Sequence, residues 1–181
     1  TKNQVMSIDT MNSKTAKFAL ENGFDIINDV TGFNHDENMA VIAKNYDAFV
    51  VLTADKPLET KNIVDETIKN LIERVEFAKS FGIDENKIIL DIGLGFNKTF
   101  EQNLELIKSA KDICSLGFFT LYGLSRKSFV QKLTGKSPLE TEFANTSLAV
   151  YLALQGVNFI RVHDVAVHKI AFQALNGMLE Q

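Results

Sequence analysis

Short apolar runs alternate with longer amphipathic segments along this chain. Six of these runs are short and rich in β-branched residues, which predicts buried strands. They are Val5-Met6-Ser7-Ile8, Asp25-Ile26-Ile27-Asn28, 48–52, Lys87-Ile88-Ile89-Leu90, 118–122 and 158–162. Helical spacing and capping signals predict a helix after each strand, with an additional short helix after Ser125. The main helices are predicted at about 13–22, 37–45, 62–81, 99–114, 137–155 and 165–179.

Six β-then-α units predict an α/β protein with a parallel sheet covered by helices. The two usual solutions are an open doubly wound sheet and a closed (β/α)₈ barrel. No Gly-x-Gly-x-x-Gly follows the first strand, which argues against a dinucleotide site. A barrel takes about 250 residues, so six units fall about two short. The chain lacks an initial Met, and its first apolar run starts at Val5. We therefore expect a single domain over 1–181, truncated at its N-terminal side.

Composition narrows the possible function classes. Apolar residues make up 45% of the 181 residues, enough for one sizeable core. The net charge of −4 argues against nucleic-acid and membrane-surface partners, and no apolar run approaches the roughly 20 residues of a membrane helix. The single cysteine, Cys114, excludes an internal disulfide and is typical of a cytoplasmic protein. We expect it to be a packed, inert thiol.

Polar or charged side chains follow nearly every predicted strand, where parallel sheets place their ligands. The simplest interpretation is that such residues cap the next helix. It suits those with short oxygen-bearing side chains, which are Thr10, Asp29, Thr53 and Asp164. It fails for Lys127, Arg161 and His163, because cations oppose the dipole at a helix N-terminus. His163 alone is also explained as a structural histidine, and Arg126 as a solvated surface residue.

The remaining set has a consistent chemistry. Asp9, Asn28, Asp91 and Lys127 supply two carboxylates, an amide and an ammonium at one rim. A flat heterocycle with an amidine-like edge matches them, because a carboxylate accepts two parallel N–H bonds and a lysine donates to a ring carbonyl or nitrogen.

A second group of residues suits an anion. Arg161 and His163, on the last predicted strand, match a pyrophosphate. Ser125 is predicted to begin a helix whose free N–H groups would add to anion binding.

Five motifs in this order resemble those of the dihydropteroate synthase family, over essentially the whole chain. They are 7–10 (SIDT), 25–30 (DIINDV), 90–98 (LDIGLGFNK), 125–129 (SRKSF) and 160–164 (IRVHD). The resemblance implies a partial (β/α)₈ TIM-type barrel, with these strands as the third to the eighth. It also implies the family's reaction, in which 6-hydroxymethyl-7,8-dihydropterin pyrophosphate and p-aminobenzoate join and pyrophosphate is released.

The resemblance also implies roles for individual residues. Pterin binding falls to Asp9, Asn28, Asp91, Phe96, Gly123 and Lys127. The p-aminobenzoate position is Ser125, and pyrophosphate binding falls to Arg161 and His163. Lys127, Arg161 and His163 are the residues expected to act in catalysis. The family chemistry is dissociative, so these groups orient the pterin and stabilise separating charge rather than form a covalent intermediate.

The same resemblance implies a cofactor and an oligomeric partner, and this sequence departs from the family's motifs at three places. Mg²⁺ is expected, but the family's asparagine ligand would lie in the missing N-terminal part, so no metal ligand is assigned here. The family is often a homodimer through its last helices. The family's Met-His after the third strand of this chain is replaced within 52–57 (LTADKP). Ile92 stands in place of the proline of the family's Asp-Pro-Gly, and Leu124 in place of a threonine. The chain alone is expected to be weak or inactive.

Two other functions remain open at this stage. One is a pterin-binding barrel that moves a methyl group from methyltetrahydrofolate to a corrinoid protein, although such a protein needs no pyrophosphate site. The other is a non-catalytic protein of this fold that pairs with another subunit, which the lost Met-His motif favours.

Overall fold

The computed structural model describes residues 4–54 and 60–180. These residues form two compact units, one made of 4–54 with 60–92 and the other of 93–180. Both units alternate strands with helices, as the hydrophobic pattern predicts. Part of the run that replaces the Met-His motif, 55–57, lies outside the described residues. The single domain expected over 1–181 stays a prediction.

The first unit contains four parallel strands that pair in chain order. The strands are β1 (Ser7–Asp9), β2 (Ile26–Asp29), β3 (Phe49–Thr53) and β4 (Ile88–Asp91). The helices are α1 (Ser13–Glu21), α2 (Asn38–Asn45) and α3 (Ile63–Ser80), with a 3-10 turn at Glu85–Lys87. Strand β4 is fully buried and β3 nearly so, as expected of parallel strands that are packed on both faces.

Side-chain caps begin the helices of this unit. Asn12 Oδ1 accepts hydrogen bonds from the backbone N–H groups of Lys14 and Thr15, at 3.0 and 3.2 Å. Asn62 caps α3 in the same way through the N–H of Asp65. Each cap satisfies N–H groups that have no partner inside the helix and is worth about 1 kcal/mol.

The second unit contains two parallel strands, β5 (Phe119–Gly123) and β6 (Phe159–Arg161). Its helices are α4 (Phe100–Lys108), α5 (Ala110–Cys114), α6 (Ser128–Thr134), α7 (Glu142–Leu154) and α8 (Val165–Leu179), with a 3-10 turn at Pro138–Thr141. The prediction of one helix over 99–114 is wrong, because Ser109 has ψ 16° and ends α4 there. The predicted helix at 137–155 begins instead as the 3-10 turn.

Side-chain caps also begin helices of the second unit. Thr99 and Gln102 form a capping box, with reciprocal bonds of 2.9 and 3.2 Å between side chain and backbone. Asp164 Oδ1 accepts from the N–H groups of Ala166 and Val167 and begins α8. These caps place the turns that follow β4 and β6, where the candidate residues lie.

Candidate functional site

The first unit places three predicted pterin residues at the carboxyl ends of its strands. Asp9 lies beside Asn28 in the register of β1 and β2. Asp91 lies beside Thr53 at the end of β3 and β4. Because Asn28 pairs with Val51, two residues before Thr53 on β3, all these side chains share one face of the sheet. The structure therefore brings Asp9, Asn28 and Asp91 to one face and one end.

Backbone hydrogen bonds extend the pairing to the strand ends. Thr10 donates its N–H to Asn28 O at 3.1 Å, and Ala54 donates to Asp91 O at 2.9 Å. Asn28 is 4% exposed and Asp91 is fully buried, whereas Asp9 is exposed. A buried carboxylate is held in a defined orientation, which favours directional recognition of paired N–H donors.

The prediction that Thr10, Asp29, Thr53 and Asp164 cap the next helix is confirmed for Asp164 alone, because Thr10 and Asp29 instead accept hydrogen bonds in the turns that follow their strands. Asp164 caps α8, and Thr10 Oγ1 accepts from the N–H of Asn12 in the turn before α1. Asp29 organises the turn after β2 by accepting from Thr31 N at 2.8 Å. For Thr53 the interpretation is wrong, since its hydroxyl makes no hydrogen bond with the described part of the chain.

The second unit builds a small cavity around Lys127. Lys127 Nζ donates to Leu94 O and lies 5.2 Å from the ring centroid of Phe96. The cavity has a volume of about 140 Å³ and is lined by Leu94, Gly95, Phe96, Lys127 and Ser128. Lys127 and Phe96, both predicted to bind pterin, therefore lie together beside a space with a cationic and an aromatic wall.

The loop that carries Phe96 requires glycine. Gly93 and Gly95 have φ of +65° and +78°, a conformation that other residues adopt at a cost. A Cβ at Gly95 would also lie 3.0 Å from Lys127 Cδ. The two glycines of the LDIGLGFNK motif thus serve backbone conformation and the close approach of the lysine.

Two side chains that sequence reasoning did not assign hold this loop. Asn103, 2% exposed on α4, accepts from Gly95 N at 2.7 Å and donates to the carbonyls of Lys98 and Thr99. Lys98 Nζ donates to Gly93 O at 2.9 Å. One signal was available in the sequence, because Asn103 precedes the buried Leu106 by three residues and so falls on the apolar face of its helix.

Arg161 and Lys127 converge beside Gly123. Gly123 lies next to Arg161 in the register of β5 and β6. A Cβ placed on Gly123 would meet Arg161 Nη2 at 3.2 Å, Arg161 Nε at 3.3 Å and Lys127 Nζ at 3.6 Å. A side chain here would crowd the Arg161 guanidinium by a few tenths of an ångström and would touch Lys127 Nζ at ordinary contact distance. Two cations in one place favour an anionic ligand.

Ser125 and His163 form a direct pair. The Ser125 hydroxyl lies 2.8 Å from His163 Nδ1, and the backbone N–H of His163 also points to it at 3.4 Å. The predicted helix start at Ser125 is wrong, since α6 begins at Ser128. Arg126, interpreted as a surface residue, is exposed.

The described residues give no sign of a metal centre or a membrane span. They contain no group of three or more His, Cys, Asp and Glu side chains placed to hold a metal ion. Within the same residues no helix is both long and apolar enough to cross a bilayer.

Comparison with known proteins identifies the relatives of this chain. A family model described as pterin binding enzyme matches residues 1–163. The dihydropteroate synthase of Streptococcus pyogenes serotype M6 is 34% identical over 178 residues, covering 97% of this chain and 67% of that protein. The dihydropteroate synthase of Clostridium beijerinckii is 37% identical over 163 residues, covering 88% and 60%. The chain thus spans about three fifths to two thirds of these relatives.

Solved structures confirm the fold. The Clostridium difficile dihydropteroate synthase, solved in the presence of pteroic acid, matches 99% of this chain and 69% of its own with a TM-score of 0.93 and 32% identity. The Xanthomonas albilineans dihydropteroate synthase, in complex with 7,8-dihydropteroate, matches 97% and 69% with a TM-score of 0.92 and 28% identity. The prediction of six βα units of a partial (β/α)₈ barrel is confirmed, as is the resemblance to this family.

Proposed function

This chain belongs to the pterin-binding enzyme family, and from that premise we propose that the protein catalyses the dihydropteroate synthase reaction. The observation that carries the proposal is that two cationic side chains, Lys127 and Arg161, lie together beside Gly123. A reaction that expels pyrophosphate needs such a cluster, because negative charge accumulates on the leaving group in the transition state. The methyl transfer considered above expels no anion of this kind.

The proposed reaction exchanges one bond for another. The bond between the pterin methylene carbon and the pyrophosphate oxygen breaks, and its electron pair leaves with pyrophosphate. The amine nitrogen of p-aminobenzoate then forms a C–N bond with that methylene and loses a proton. No protein nucleophile is required, so the protein acts by orientation and by charge stabilisation.

Each candidate residue has a proposed role in this reaction. Asp9, Asn28 and Asp91 accept N–H groups of the pterin, and Asp91 is placed to take the paired donors because it is buried and fixed. Lys127 donates to the heterocycle, and the Phe96 ring packs beside it.

The other roles concern the leaving group and the amine. Arg161 and His163 bind pyrophosphate. Gly123 has no Cβ, and so it leaves room for the Arg161 guanidinium beside it. Ser125 lies near the p-aminobenzoate, and its contact with His163 Nδ1 connects the residues proposed for the two substrates.

A titration with two ligands tests the proposal. The affinity of the 181-residue chain is measured by calorimetry for 6-hydroxymethylpterin and for its pyrophosphate ester. We expect the ester to bind more tightly, and we expect Arg161→Gln to remove that advantage while leaving the affinity for the unesterified pterin unchanged. Equal affinity for the two ligands, together with binding of methyltetrahydrofolate, would instead support methyl transfer.

A second copy of the protein is the proposed partner. Helices α7 and α8 pack against each other and leave large apolar side chains in solvent. These are Phe143, Leu154, Ile170 and Met178, all more than half exposed. We expect Phe143→Asp to shift the protein toward monomer in analytical ultracentrifugation, because a charge would be buried in the proposed homodimer.

The proposal also covers a magnesium cofactor and a cytoplasmic location for the protein. Mg²⁺ is proposed only for the whole protein, since no metal ligand is assigned among these residues and the proposed roles of the side chains need no metal. A cytoplasmic location is supported by the single cysteine, Cys114.

A further inference from the structure

Thr53 has a buried hydroxyl with no hydrogen-bond partner among the residues that the structure describes. The side chain is 0% exposed. Buried polar groups in folded proteins nearly always have a partner, because leaving one unmade costs free energy. An exception at the carboxyl end of a parallel strand, where ligands bind, points to a partner that is not part of the protein.

The register places this hydroxyl in the row of proposed pterin residues. Thr53 is the last residue of β3 and lies directly beside Asp91 of β4. It shares its face of the sheet with Asn28, through the pairing of Asn28 with Val51. Thr53 and Asp91 are directly paired and so about 5 Å apart, whereas Asn28 lies two residues earlier in the register, about 7 Å further back along the strands. The hydroxyl is therefore within the width of one bicyclic heterocycle from the Asp91 carboxylate.

Thr53 is buried to the same degree as two of the proposed pterin residues. Asp91 is 0% and Asn28 4% exposed, so both are withdrawn from solvent to the same degree as Thr53. Because Thr53 and Asp91 are register partners whose side chains leave the same face, a ligand seated on the Asp91 carboxylate lies next to the Thr53 hydroxyl. A threonine hydroxyl both donates and accepts, so it matches either a ring nitrogen or an exocyclic group.

We propose that Thr53 is a binding residue whose hydroxyl hydrogen-bonds a polar edge atom of the heterocycle seated against Asp91. This inference rests on the proposed function, because it takes the pterin as the ligand. It adds a residue to the site. In the free protein the buried hydroxyl destabilises the fold because its hydrogen bond is unmade, and ligand binding supplies that bond.

The test uses a control that the chain itself supplies. Thr67, in α3, also has a fully buried hydroxyl without a partner in the described residues, and it lies on a helix rather than in the row of strand ends. Thr53→Val and Thr67→Val each replace a hydroxyl by a methyl group of nearly the same size. Urea unfolding and calorimetry with 6-hydroxymethylpterin are measured for both variants and for Thr53→Ser.

We expect both valine variants to raise the urea midpoint, because each removes a buried unsatisfied group. Only Thr53→Val should weaken pterin binding, by about tenfold, the loss of one hydrogen bond, and Thr53→Ser should restore it. Three results would overturn this inference and leave the proposed function standing. They are unchanged pterin affinity in a folded Thr53→Val, an equal loss of affinity in Thr67→Val, and no stabilisation by Thr53→Val. Absence of pterin binding by the wild-type chain would overturn the proposed function and this inference with it.

Discussion

The contact between Gly95 and Lys127 gives the sharpest prediction about the second unit. Gly95→Ala forces alanine to adopt φ +78°, which costs roughly 1–2 kcal/mol. The new methyl group would also lie 3.0 Å from Lys127 Cδ, closer than ordinary van der Waals contact. That carbon is in the middle of the stem, and Nζ is held by Leu94 O, so the lysine has to shift by a few tenths of an ångström and strain its hydrogen bond to Leu94 O.

The expected result has two parts, one in stability and one in binding. The free energy of unfolding should fall by about 1–2 kcal/mol from the backbone conformation. Displacement of Lys127 should in addition reduce the affinity for pterin by about tenfold, or about 1.4 kcal/mol. Urea unfolding measures the first and calorimetry with 6-hydroxymethylpterin measures the second.

Gly117 is the matched control. Its φ is +84°, and a Cβ there meets nothing within 4 Å. Gly117→Ala should therefore show the same loss of stability as Gly95→Ala with unchanged pterin affinity. If the two variants lose equal affinity, or if neither loses any, the position of Lys127 does not control binding and the reasoning fails.

Two further predictions concern the first unit. Hydrogen bonds from the side chain and the N–H of Ser13 lower the pKa of Asp36 to about 2. Ionised Asp36 therefore stabilises the fold above its ordinary pKa of 3.8, and the difference in thermal midpoint between wild type and Asp36→Ala should disappear as the pH falls through about 2. Arg74 is buried and donates to Thr31 O at 2.6 Å. Arg74→Met should cost about 2–3 kcal/mol in urea unfolding, whereas the exposed Arg126→Met should stay within about 0.5 kcal/mol, and equal losses would contradict this account of Arg74.

Local signals in the sequence were sufficient for most of the fold. The final helix was predicted at 165–179 and is observed as Val165–Leu179, because Asp164 is a strong cap. The break at Ser109 could not be predicted, since the apolar spacing continues through it. A break at a single residue depends on packing against the rest of the unit, which sequence periodicity does not report.

The candidate site was predictable in its residue types and less so in its contacts. The alternation of strands and helices in the sequence predicts Asp9, Asn28 and Asp91 at strand ends, where the structure has them. The Ser125–His163 pair joins residues 38 positions apart in sequence, and the contact of Asn103 with Gly95 depends on how the glycine turn folds back onto α4. Local capping rules apply within a few residues, so they assigned no such partners.

Titration of the chain with 6-hydroxymethylpterin pyrophosphate, comparing wild type with Asp91→Asn, tests the central claim most directly. The variant keeps the shape of the buried side chain and removes its charge. A charge-assisted pair of hydrogen bonds is worth about 2–4 kcal/mol, so the account predicts measurable binding by wild type and a loss of that size in the variant. Binding of equal strength by a folded Asp91→Asn chain would contradict the assignment of Asp91 as the residue that recognises the pterin.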